Sequence, residues 1–588
     1  MADAGKKKVA IAGIASILLV ACVVGTAVTL TKMNGDSGAQ VSISSKLVEA
    51  MCQPTQYKET CERSLNSAKN TSDPKELIKQ AFDSTVDEIA SSIKNSAPFK
   101  EAANDPRTKD ALKICDEVLD RSIEEIKRSF SKIDSNDLNK LIKEYIYDVR
   151  SWLSSAVTFE ETCIDAFANT TGDMGEKMKN LLKTANELSS VALDIVSNFE
   201  EQMAGLQGLG ITNRRLLTVE AARVGGGVTI ASKGEPSYMV GLPILAFWVP
   251  GKKVNRRLLQ VASLKPNVVV AQDGSGQHKS INEALKTVPP NNAQPYVIFI
   301  KAAIYNENVQ VTNTMPNVVF IGEGPTKTKI TGNKNYLDGL PIFSTATVSI
   351  SGQGFVAKDI GFENSAGSLK KEAIALRVSA EMSVFQNCQI DGYQSTLMTH
   401  IGRQFYRDCT ISGTIDFIFG DAVAVFQNCK LIARKPEEMQ TQAITIAAQQ
   451  RTQPFGTGAI IIQNCTITAE SALLAINPPR NKAFLGRPAK LYSRTVVMQS
   501  QIDGFIDPEG WIPFAGTFGL DTLYFVEYQN SGPGANIDKR VTWKNYIKNP
   551  PQDVIAKFAP GVVLKAGDNT DGWVTKIGVP YEPGMMKV

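Results

Sequence analysis

The chain has 588 residues, which is room for two to four domains and excludes a single small module. Hydrophobic residues make up 43% and charged residues 21%, so the bulk is neither disordered nor wholly membrane-embedded. Lys+Arg number 63 against 59 Asp+Glu, a net charge of +4, which is too even to point to nucleic acid. With only two histidines, His278 and His400, a His-rich metal centre is excluded, and acid–base chemistry falls to carboxylates.

Residues 1–40 read as a leader. Lys6, Lys7 and Lys8 precede an uncharged run over residues 9–30, long enough as helix to cross a bilayer, and the basic flank keeps the N-terminus cytosolic. The length favours a signal anchor over a cleaved leader, although Gly25-Thr26-Ala27 offers small residues for cleavage. The rest of the chain then enters the secretory lumen, and membrane contact is confined to residues 9–30. The eight cysteines beyond Cys22 suit an oxidising compartment, as do Asn-x-Ser/Thr acceptors at Asn70, Asn169 and Asn464.

Residues 41–204 repeat apolar side chains at three- and four-residue steps and scarcely contain glycine up to residue 171. That pattern predicts an all-α antiparallel four-helix bundle. Cys52 and Cys61 lie close together at its start, and Cys115 and Cys163 fall in two later helices, so 52–61 and 115–163 are the simplest pairings. Residues 205–264 break the pattern with Gly225-Gly226-Gly227, several prolines and Arg-Arg-Leu-Leu twice, at 214–217 and 256–259. This reads as a linker that a luminal protease cuts at the dibasic sites.

From residue 265 to 588 short β-rich segments alternate with turns and a unit recurs: VFQNCQI (384–390), QFYRDCTI (404–411), VFQNCKL (425–431) and IIQNCTI (461–467). Their cysteines are 21, 20 and 36 residues apart, the signature of stacked coils in an all-β parallel β-helix; a β-sandwich would not require the recurring Asn/Asp-Cys register. Equivalent positions on neighbouring coils lie about 4.8 Å apart, so Cys388, Cys409, Cys429 and Cys465 could form cross-coil disulfides or a buried thiol ladder. Stacked coils offer a long groove suited to an extended polymer. In Thr-Ile-Asp-Phe-Ile-Phe-Gly (414–420) strand alternation turns Asp416 away from Ile415 and Phe417. A carboxylate there is either a structural partner of a cation such as Arg487 or a nucleophile held ionised by it.

Ordered motifs carry a resemblance. CQPTQYKETC (52–61), ALKIC (111–115) and VRSWLSSAVTFEETC (149–163) resemble the plant pectin methylesterase inhibitor bundles, and FWVPGKKVNRRLL (247–259) resembles a processing linker. VVVAQDGSG (268–276), VIFIKAAIYNENV (297–309), GRQFYRDCTISGTIDFIFG (402–420), LGRP (485–488), YSRTVVMQSQIDGFIDPEGW (492–511) and VEYQNSGPGA (526–535) resemble plant pectin methylesterase (pectinesterase). The resemblance implies a right-handed β-helix that hydrolyses C6 methyl esters of homogalacturonan, the methyl-esterified backbone of pectin, in the cell wall, without metal or cofactor. It implies that Asp416 is the nucleophile, that Arg487 orients it and that Gln394 stabilises the oxyanion. It places Arg487, Glu372, Phe419 and Trp511 against substrate, and makes the bundle an intramolecular inhibitor-like domain.

Departures from the family pattern bear on rate. The general acid position is Ser395, its neighbouring aromatic is Met398, an oxyanion glutamine is Glu372, the stacking tryptophan after LGRP is Ala489, and a groove threonine is Ile342. A serine cannot protonate methoxide near neutral pH and an ionised Glu372 repels an oxyanion, so the sequence predicts an impaired esterase. A non-catalytic pectin-binding or inhibitor-type wall protein is the alternative.

Overall fold

The computed structural model describes residues 47–65, 74–208 and 265–586, apart from 98, 100–104, 135–139, 169, 171, 438–441, 477–480, 568–569 and 576–577. The expected leader, the acceptors at Asn70 and Asn169 and both Arg-Arg-Leu-Leu sites lie outside these residues. Among the described residues no helix is long and apolar enough to cross a membrane.

The N-terminal region is helical: α1 (Lys58–Leu65), α2 (Pro74–Asn95), α3 (Pro106–Asp134), α4 (Ile146–Ala166) and α5 (Met174–Gly208). The last runs four residues past the expected end of the bundle. A single π-turn, Leu141–Tyr145, leads into α4. Cys52–Cys61 and Cys115–Cys163 are disulfide-bonded, as the sequence suggests. The bundle interior also holds acids. Glu160 of α4 is buried and its Oε1 accepts hydroxyl bonds from Ser122 of α3 (2.9 Å) and Ser189 of α5 (2.6 Å).

The C-terminal region winds into a parallel β-helix. Among the described residues every ladder is parallel, and the strands fall into sheets of eleven, seven and eight, each coil from Tyr296 to Gly486 adding one strand to each sheet. The recurring Asn/Asp-Cys pair now has a physical cause. Asn387, Asp408, Asn428 and Asn464 occupy left-handed corners (φ 47°, 54°, 62° and 52°) between the eleven- and eight-stranded sheets, a conformation that Asn and Asp tolerate best among residues with a Cβ. The cysteine that follows each corner points inward. Cys388, Cys409, Cys429 and Cys465 are free, buried thiols, each donating to a carbonyl of the preceding coil at 3.4–3.6 Å. Beside them Phe385, Tyr406 and Phe426 stack at centroid spacings of 4.8 and 4.6 Å.

The outer face of the eleven-stranded sheet is apolar, and residues 579–586 help to cover it together with Ile555, Leu564 and Val574. Val579 is buried there, Tyr581 packs edge-on against Phe405 (5.3 Å), and a row of glutamines holds the segment in place. Gln427 bonds Glu582 at both backbone groups, Gln463 donates to Gly584 O, and Gln499 bonds both groups of Met586.

Burial pushes the Glu160 carboxyl up to about 8 and Asp194 up to about 7, from ordinary values of 4.5 and 3.8. Both acids therefore hold their protons more tightly in the folded bundle than in the opened chain. Their stabilising share is complete below the unfolded values and is lost as pH rises through the folded ones. The melting midpoint of the bundle is expected to fall between about pH 4.5 and 8, and Glu160→Gln to flatten that slope. Calorimetry across this range checks it; a midpoint that rises over the window would show these acids to be ionised inside.

Candidate active site

The seven-stranded sheet presents the site. Leu376, Val378, Leu397, Ile418 and Ala447 pack inward, so the residues between them that share one register, Arg377, Met398, Phe419 and Ala448, line the outer face. Asp416 lies two residues before the strand Ile418–Gly420, at a left-handed corner (φ 47°) rather than within a strand. Ile415 and Phe417 beside it are buried, and Asp416 itself is partly exposed.

Arg487, directly after the strand Ala483–Gly486, grips the Asp416 carboxylate in a fork: Nε donates to Oδ1 at 2.8 Å and Nη2 to Oδ2 at 2.6 Å. Thr445, on the next coil, donates its hydroxyl to Oδ1 at 2.6 Å and accepts the Asp416 backbone N–H at 2.8 Å. Two charge-assisted bonds and a hydroxyl fix the carboxylate's direction. The exposed Phe514 covers the Arg487 guanidinium, 4.7 Å from its ring centroid.

Ser395 occupies the coil before Asp416, its N–H donating to Ile415 O at 2.9 Å, and is buried with φ 61°. Its backbone thus keeps a left-handed corner that suits aspartate better than serine. Next to it, Gln394 Nε2 donates to Glu372 Oε1 at 2.9 Å, while Glu372 Oε2 is buried without a hydrogen-bond partner. The amide expected to meet an oxyanion is therefore engaged by the residue that replaces a second amide.

Helix α4 lies over this outer face. Thr158 Oγ1 donates to Asp421 Oδ2 (2.8 Å), Thr162 Oγ1 pairs with His400 Nε2 (2.7 Å), and Phe159 meets the His400 ring edge-on. Lys490 Nζ reaches Asp165 (2.8 Å) and Glu161 (3.6 Å). Beneath the helix a narrow cavity remains, lined on the sheet side by Ile342, Met398, Phe419 and His400. Arg403 is buried between Glu381 of its own domain and Asp148 of α4, the latter at 2.7 Å. Burial, reinforced by Arg377 and Arg121, holds His400 well below the usual imidazole range, and burial pushes Asp421 up to about 6.

Comparison with known proteins decides the family. Residues 267–567 match the Pectinesterase family model, and residues 46–195 match that of the plant invertase/pectin methylesterase inhibitors. A probable pectinesterase/pectinesterase inhibitor of Arabidopsis thaliana is 44% identical over 590 residues, covering 99% of this chain and 83% of that protein. The chain belongs to the pectinesterase family. A pectinesterase of Petunia integrifolia is 50% identical over 412 residues, covering 70% of this chain and all of its own length. The solved pectin methylesterase from carrot is 44% identical with a TM-score of 0.53, covering 55% of this chain and 99% of that one.

Within the pectinesterase domain the structure brings together Asp416 and Arg487, and Gln394 with Glu372. Phe419 and Met398 share the outer stripe under α4. Trp511 is a correction. It is 1% exposed, packs in the β-helix core against Phe525, and donates its indole N–H to Glu527 Oε1 at 3.0 Å, so it has no face for a sugar. Sequence reasoning passed over Thr445, which no motif singles out, and Phe514, whose exposed aromatic ring four residues after a glycine was a usable signal.

Asp148 also accepts the Gly567 N–H at 2.9 Å, so it ties the inhibitor domain to the β-helix twice. Because Glu381 stays beside Arg403, Asp148→Ala is expected to weaken docking by about 1–3 kcal/mol rather than the full cost of a stranded charge. After the linker is cut, gel filtration of the variant should separate the two domains at concentrations where the wild-type pair co-elutes. Identical elution would show that this contact carries no docking energy.

Proposed function

We propose that the pectinesterase domain hydrolyses C6 methyl esters of homogalacturonan in the plant cell wall, that the inhibitor domain closes its groove until the linker is cut, and that Ser395 and Glu372 make turnover slow. The observation that carries this reading is the Asp416 carboxylate fixed by Arg487 on a face long enough for a polymer. In this scheme a carboxylate oxygen of Asp416 attacks the ester carbonyl, Gln394 donates to the developing oxyanion, methoxide leaves as methanol by taking a proton from water, and a second water hydrolyses the acyl-enzyme to the free acid and restores the Asp416 carboxylate. The weak step is the proton. Ser395 has none to give near neutral pH, and loss of a placed general acid costs about 10²–10⁴ in rate. Glu372 already engages the Gln394 amide, and an oxyanion donor is worth about 10²–10³.

The four domains of this reading are the leader at 1–40, the inhibitor bundle at 41–204, the linker at 205–264 with its two dibasic sites, and the β-helix at 265–588. Residues 9–30 carry the chain into the secretory pathway, and a luminal protease acting at Arg214–Leu217 or Arg256–Leu259 frees the groove. A second reading, a pectin-binding wall protein without turnover, draws on the same Ser395 and on the engaged Gln394.

Methanol release from highly methylated pectin by purified residues 260–588 separates the two. The rate is expected to be slow but above that of Asp416→Ala; equal rates leave only binding. Ser395→Asp combined with Glu372→Gln is expected to raise the rate by about 10²-fold or more, since the left-handed corner at 395 already suits aspartate. A fall in rate on Glu372→Gln alone would mean that Glu372, held protonated, supplies the proton that Ser395 cannot.

A further inference from the structure

Arg377 stands on the floor of the groove and nothing established for the site uses it. Its neighbours Leu376 and Val378 point into the core, which turns its side chain outward in line with Met398 and Phe419 on the next two coils, at a spacing of about 4.8 Å per coil. The guanidinium lies face-on against the Phe343 ring at 3.4 Å, with Nε directed at Ser349 Oγ (3.4 Å). It is 4% exposed, and its Nη1 is buried with no hydrogen-bond partner. Among the described residues no carboxylate lies within ion-pair distance of it. The acid whose field favours its charge is Glu117, which belongs to α3 of the inhibitor domain and leaves with it, and the other charge facing it is the like-charged Arg121 of the same helix. An oriented guanidinium with a free donor and no counter-ion is an incomplete site, because a buried charge without a partner is costly.

We propose that Arg377 binds the free C6 carboxylate of a de-esterified galacturonate unit lying in the groove two coils from Phe419, and so makes the groove prefer chains that already carry an acid at that position. This rests on the reading that the groove holds homogalacturonan. The ligand class follows from the chemistry: a planar fork with an unused N–H matches a carboxylate, and a neutral methyl ester offers a single weaker acceptor. The group recognised is the one that ester hydrolysis generates. Arg377 touches a neighbouring sugar rather than the reacting ester, so it sets specificity and takes no part in bond making.

The test is titration calorimetry on the pectinesterase domain released from the full chain by cutting after Leu259, residues 260–588. Two oligomers of equal length serve as probes, one with free C6 acids and one with C6 amides, which are neutral and resist an esterase. The acid oligomer is expected to bind about ten- to a hundredfold more tightly. Arg377→Gln should abolish that difference while changing amide-oligomer affinity by less than about threefold, and Arg377→Lys, which keeps the charge but loses the planar fork, should lose most of it. Melting midpoints show whether each variant is folded, and Arg377→Met, which keeps the stem's bulk, replaces a Gln variant that is not. Equal binding of the two oligomers by the wild-type domain overturns the assignment, as does an acid preference that survives removal of the guanidinium and passes to Lys490. Binding of neither oligomer overturns the pectin reading with it.

Discussion

The parallel stacking of coils is the constraint from which the site follows. Because each strand bonds to the equivalent strand of the next coil, a side chain's face is settled by its register, and every change of one residue would exchange core for groove. Asp416, Ser395 and Thr445 occupy successive coils for this reason, and so do Arg377, Met398 and Phe419. The chemistry therefore depends on corners as much as on side chains: left-handed turns at Ser395 and Asp416 re-aim the chain just before the strands that line the groove.

The inhibitor domain closes that groove with polar contacts as well as apolar ones. Thr158 and Thr162 of α4 reach Asp421 and His400, Lys490 reaches back to two acids of α4, and Arg403 is shared between Glu381 and Asp148. Charges shared in this way are satisfied by the docked domain and would be satisfied by water without it, so docking exchanges solvent for partners with little net gain per contact. Such an interface is specific without being irreversible.

Much of this was legible in the residues. Glycine-poor amphipathic runs specified the bundle, and the repeated Asn/Asp-Cys pair specified the coils because only a few residue types accept the corner that it occupies. Asp416 stood out as an acid between apolar neighbours, and LGRP supplied its partner. Trp511 was misplaced because a tryptophan beside a glycine reads equally well as groove or core; only the register against Gly486 and the bond to Glu527 decide it. Thr445 and Arg377 were missed for a related reason. Their importance comes from which residue lies one or two coils away, and the coil length, 20 residues at one step and 36 at another, cannot be counted without the ladder.

Residues 579–586 are stitched across the eleven-stranded sheet by Gln427, Gln463 and Gln499. Coils can wind in order as the polypeptide emerges during synthesis, yet Phe405 lacks its Tyr581 cover until these late residues arrive. For that interval a nascent chain carries a bare oily flank on an otherwise finished solenoid, and holdase binding during translation would be concentrated there.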